Sequence, residues 1–94
     1  MKSVFQNSKK CFVCGIGLNV HDHHILYGTS NRKNSEKRGL KVWLCAYHHN
    51  MSNEGVHFNK DLDLKLKQMA QRYYEENYGT RDDFRREFGR NYLD

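Results

Sequence analysis

The chain predicts a small α+β domain, on three observations. Two short β-prone runs, residues 20–27 (VHDHHILY) and 40–44 (LKVWL), flank a polar stretch. From Asp61 onward the apolar residues recur at helical spacing. Two cysteine-bearing knuckles, CFVC at 11–14 and LCAYHH at 44–49, enclose the β-prone part from both ends.

Ninety-four residues make one domain, 1–94, read as a basic arm (1–10), a finger (11–57) and two C-terminal helices (58–94). A core of this size leaves a thin stability margin, so a structural staple would help. Charged residues are 29% of the chain, yet six Tyr, five Phe and Trp43 supply enough aromatic surface for a folded domain. Sixteen Lys and Arg against eleven Asp and Glu give +5, which favours a polyanionic partner such as nucleic acid. No apolar run approaches the ~18 residues of a membrane span, and MKSVFQNSKK has no apolar core of a secretory signal. The expectation is an intracellular protein with no membrane partner. Three cysteines cannot all pair, and a CxxC with a later Cys and His reads as metal ligation.

In chain order, residues 1–10 are expected to form a loose arm. Residues 11–17 (CFVCGIG) form a turn in which Gly15 and Gly17 let two sulfurs face one ion. Residues 20–27 form a strand, 28–39 a polar surface loop, and 40–44 a second strand pairing with the first. Residues 46–53 begin a helix that Gly55 ends. Leu62, Leu66, Met69, Ala70 and Tyr73 mark an amphipathic helix over 61–77, stopped by Gly79. Thr80 before Arg81-Asp82-Asp83 starts another helix through Phe88, with Phe84 and Phe88 at i and i+4. The apolar stripe is core.

Cys11, Cys14, Cys45 and His48 are spaced C-x2-C, thirty residues, C-x2-H. Thiolates and one imidazole in a four-ligand set suit tetrahedral Zn2+, here structural, closing the base of the finger. The interval exceeds the ~15–20 residues of a simple zinc ribbon, so something is inserted between the knuckles. That insert holds the 20–27 run, whose imidazoles need a hydrogen bond, a metal or water to offset desolvation.

With His49 directly after the last zinc ligand, the order CxxC, Asp/His-His, loop, CxxH resembles the HNH nucleases of the His-Me finger (ββα-metal) superfamily. The likeness covers about residues 11–57 and is to the zinc-knuckle variety of phages and mobile elements; Gly55-Val56-His57 is similar to a small phage-type subgroup. It implies a zinc-closed ββα-metal finger, which the two helices read from the apolar spacing would back, and hydrolysis of DNA to 5′-phosphate and 3′-hydroxyl ends. His24 matches the general base, and His23 and His49 match ligands of one catalytic divalent ion, with His57 a further ligand. The family's middle Asn is not filled at its usual place, Gly39-Leu40, which leaves Asn34 as the candidate.

Elementary chemistry bears on these roles. An imidazole titrates at about 6.5, so a histidine can accept a proton from water at neutral pH. Histidine ligation suits Zn2+, Ni2+, Co2+ or Mn2+, whereas Mg2+ would lean on water and phosphate. Adjacent strand residues face opposite sides, so Asp22 shares a face with His24 and His21 with His23; either could replace the residue assigned by resemblance. On a continuous helix His57 would sit ~12 Å beyond His49, so it reaches the same ion only if the chain turns back at 53–55, and Asn53 is the helix-compatible alternative. Arg32, Lys33, Lys37 and Arg38 are candidate phosphate contacts. A homodimer would allow both strands to be cut, though no heptad or other dimer signature is present. The rival expectation is a non-catalytic zinc-stabilised module that binds DNA or protein.

Overall fold

The computed structural model describes residues 2–51 and 55–94. It is an α+β arrangement in the order β1 (Val20–His24), α1 (Thr29–Arg38), β2 (Lys41–Cys45), a π-helical turn (Tyr47–Met51), α2 (Lys60–Asn77) and α3 (Arg81–Phe88). The two strands pair antiparallel with Val20 opposite Cys45, His23 opposite Val42 and His24 opposite Lys41. Ile25 N–H extends the pairing to Leu40 O at 3.0 Å.

The polar stretch between the strands is a helix and not the expected loop. Its polarity runs all the way round, so no apolar stripe betrays it. The signals are at its ends: Gly39 takes the left-handed conformation at φ 72° and returns its N–H to Glu36 O, behind Lys37 and Arg38 in the last turn. Polar contacts dock it. Ser35, fully buried, donates from Oγ to Leu26 O at 2.7 Å and accepts from Leu26 N–H at 3.2 Å. Those two bonds replace the ladder that ends after β1. On the other side Asn31 and Asn34 donate to the carbonyls of Phe88 and Glu87, and Arg38 grips Glu87 with two hydrogen bonds of 3.1 and 2.8 Å.

The N-terminal residues are also better ordered than a loose arm. Val4 N–H donates to Gly39 O, Ser3 Oγ to Lys41 O, and Gln6 Oε1 accepts from Trp43 N–H. The segment therefore runs along β2 and satisfies backbone groups that would otherwise form an open edge.

The core joins Ile25, Leu26, Leu40, Val42 and Leu44 to Leu66, Ala70, Tyr74, Phe84 and Phe88. The amphipathic stripe of α2 lies as expected, with Leu62, Met69 and Tyr73 partly buried at its margin. It also takes in Gln71, fully buried, whose amide binds Glu75 and Asn91 and accepts from Tyr92 N–H. Thr80 and Asp83 form a reciprocal capping box at the start of α3. Among the described residues no helix is long and apolar enough to cross a membrane.

Candidate metal centres and the adjoining groove

The two knuckles meet. Cys11 N–H binds Ile16 O and Gly15 N–H binds Cys11 O, and Phe12 N–H ties the turn to Trp43 O on β2. Cys45 ends β2, and His48 lies one helical turn on. The four donor atoms all lie within 4.8 Å of one another. Cys14 Sγ is 3.8 Å from Cys45 Sγ, and His48 Nδ1 is 3.3 Å from Cys45 Sγ and 3.7 Å from Cys11 Sγ. Bonds of about 2.3 Å to sulfur and 2.05 Å to nitrogen give a tetrahedron with S···S edges of about 3.8 Å and S···N edges of about 3.6 Å. The spacings match those edges, so the four residues fit a structural metal. Burial opposes ionisation of Cys11, but the backbone groups of Cys45, Cys14 and Val13 outweigh it and bring the thiol down to about 6.

A second cluster stands on the other half of β1. One nitrogen from each of His23, His49 and His57 lies within 4.8 Å of the others. His49 Nε2 is 3.2 Å from His57 Nε2. Two nitrogens on one ion at about 2.1 Å from it are about 3.0–3.4 Å apart, so this spacing also suits a shared metal. His57 arrives there because the chain does turn back: Val56 N–H donates to His48 O and His57 N–H to His49 O. The helix expected over 46–53 is a short π-helical turn as far as described, and Asn53, the alternative ligand, lies outside the described residues.

Two further facts favour a metal. His23 is 4% exposed, and its buried Nε2 has no hydrogen-bond partner. Burial first, then the neighbouring His49 and His57, push its imidazole down to about 3, so it is neutral and able to donate a lone pair. Burial, His57 and His21 likewise lower His49. His49 Nδ1 contacts His21 Nδ1 at 2.9 Å, which turns the opposite nitrogen toward His57; a ligand histidine is commonly oriented through its other nitrogen in this way.

Strand alternation separates the neighbouring residues into two groups. His21 and His23 belong to the histidine side, whereas Asp22 and His24 gather with Glu36 of α1. His24 Nε2 is 2.9 Å from Glu36 Oε1. Lys41 Nζ lies between, 3.1 Å from Asp22 and 2.9 Å from Glu36, so an ammonium already supplies the cation for these carboxylates. Because β1 ends at His24, both sides open on one cleft of about 220 Å3 lined by Asp22, His23, His24, Tyr27, Arg32, His49 and His57.

Of the remaining candidates, Arg32 and Lys33 line a larger adjoining groove of about 760 Å3 with His24, Tyr27 and Glu36. Lys37 is exposed on α1 and lines neither cavity. Two of the candidates have partners within the fold. Arg38 is clamped by Glu87 and lies over the Tyr78 ring at 5.0 Å, so its charge is used within the fold. Asn34 faces α3 through Glu87 O, and the side chain that holds His24 is Glu36. Sequence reading missed Glu36 and Tyr27, and offered His21 only as an alternative to His23, not as a partner of His49; only recognition of α1 as a helix would have brought Glu36 back to the strand. No protein-family model, curated protein or solved structure matches this chain.

Proposed function

We propose that the chain is a metal-dependent endonuclease that hydrolyses phosphodiester bonds in DNA. The observation that carries this reading is the single cleft shared by the His23, His49 and His57 cluster, His24 and Arg32, with Glu36 bonded to His24 from the adjoining groove. A divalent ion held by the three histidines would supply Lewis-acid stabilisation to charge building on the phosphate and on the leaving 3′ oxygen.

The residues of the chain supply the rest. A carboxylate only accepts hydrogen bonds, so neutral His24 donates from Nε2 to Glu36 and keeps its lone pair on Nδ1. Nδ1 takes a proton from the attacking water as the water oxygen bonds to phosphorus. Glu36 holds the ring in that tautomer and stabilises the imidazolium that forms, the part a third group plays beside a catalytic base. The P–O3′ bond breaks and the departing oxygen takes a proton from solvent. Arg32, exposed at the mouth of the cleft, is placed to pair with a phosphate oxygen. Zn2+ at the Cys11, Cys14, Cys45 and His48 set holds the two ends of the finger together, a structural task separate from the chemistry.

The test is cleavage of plasmid and of labelled oligonucleotides by purified protein with Mg2+, Mn2+, Ni2+ or Zn2+, beside an EDTA control and the His24→Ala variant. Ion-dependent cleavage that drops at least a hundredfold in the variant, with DNA binding retained, is the expected result. No cleavage by the folded parent protein with any ion would overturn the reading in favour of a binding module.

A further inference from the structure

The groove beside the metal cleft has a composition that a duplex backbone does not call for. Its volume, about 760 Å3, lies in the range of ~300–1,000 Å3 that suits a small-molecule-sized ligand. Its lining is mainly apolar and takes in Gly28 and Thr29 at the start of α1 and the exposed Arg32 and Lys33. Tyr27 lines both the groove and the metal cleft and is 41% exposed. Its ring is held from several sides: the Lys67 ammonium lies 4.3 Å from the centroid, and His23 and His57 sit 6.0 and 5.8 Å away. Asp63 in turn fixes Lys67 at 2.8 Å.

An aromatic ring braced in this way, exposed at the junction of a cation-bearing groove and a candidate hydrolytic centre, has the parts of a base-stacking platform. In duplex DNA the base faces are covered by their neighbours; in a single strand, flap or bulge they are free to stack on an aromatic side chain. We infer that Tyr27 and this groove take one unstacked nucleotide next to the scissile phosphate, so that the substrate is DNA with an unpaired strand. The base would lie against Tyr27 and the apolar wall, with its phosphate toward Arg32 and Lys33. This inference rests on the nuclease reading for the word substrate, but the binding it describes does not need cleavage.

The experiment is fluorescence anisotropy of the full chain with a labelled 15-nucleotide oligo(dT) and with a labelled 15-base-pair duplex, at one salt concentration and with no divalent ion added. Parent protein, Tyr27→Ala and Tyr27→Phe are compared, with thermal melts to establish that all three fold alike. The parent is expected to bind the single strand at least fivefold more tightly than the duplex. Tyr27→Ala should weaken single-strand binding about fivefold to a hundredfold and duplex binding less than twofold, and Tyr27→Phe should keep the parent's preference. Equal or tighter duplex binding by the parent, or a Tyr27→Ala variant that binds the single strand as the parent does, would overturn the inference. Selective single-strand binding without cleavage sustains the groove and removes the nuclease. Cleavage confined to duplex does the reverse.

Discussion

Glu36 illustrates how much one side chain decides in this molecule. It meets both His24 and Lys41 within 3 Å, so it links the proposed base to a fixed positive charge and, through Lys41, to Asp22. Replacing it with Gln keeps the shape and removes the charge that selects the His24 tautomer. Cleavage by Glu36→Gln should fall ten- to a hundredfold in kcat, the usual cost of losing an orienting partner, with KM little changed. Steady-state kinetics on the best oligonucleotide checks this, and an unaltered kcat would remove Glu36 from the mechanism. His21 stands in the corresponding relation to His49 on the opposite face of the strand. The sequence named His21 only as an alternative to His23 and did not name Glu36, and neither orienting contact was legible, for the same reason. Their function depends on the partner across the fold, and neither Glu36 nor His21 carries a spacing that names that partner.

The elements differ in how legible they were. The apolar stripe of α2, the capping box of α3 and the knuckle spacing are local patterns, and all three appear in the structure at or near the expected residues. Helix α1 has no such pattern, because Asn31, Asn34, Ser35 and Arg38 dock it through hydrogen bonds and an ion pair. The return of His57 to His49 depends on a turn after a π-helical segment, which periodicity does not encode. Packing of α2 on α3 makes its own prediction. Tyr74, buried against Phe84 and Phe88, has its phenol raised above the ordinary value of 10 by burial first and by Glu87 next. A raised folded value means that this contribution is complete below the unfolded value and is lost as pH climbs from about 10 through the folded value. Urea midpoints should therefore hold steady up to pH 9.5 and fall beyond it, and Tyr74→Phe should lessen the fall. An identical alkaline decline in that variant would show that Tyr74 does not drive it.

At the scale of the whole molecule, one antiparallel ribbon carries two candidate metal centres of opposite character. Near one end Cys45 joins the set of Cys11, Cys14 and His48, four ligands that match a closed tetrahedron. Toward the other end His23 joins His49 and His57, three nitrogens beside an open cleft. The two sets share the π-helical turn, since His48 belongs to one and His49 to the other, so adjacent residues join the two candidate centres. Closed four-ligand sites suit stability, and three-ligand sites with an open position suit chemistry. Titrating the chelator-treated, refolded protein with Co2+ tests this division most directly, because thiolate ligation gives a sulfur-to-metal charge-transfer band that histidine ligation lacks. The account predicts two Co2+ per chain, the first with that band and the second without it, and only the first in His57→Ala. Saturation of the parent at one ion per chain, unchanged in His57→Ala, would contradict it.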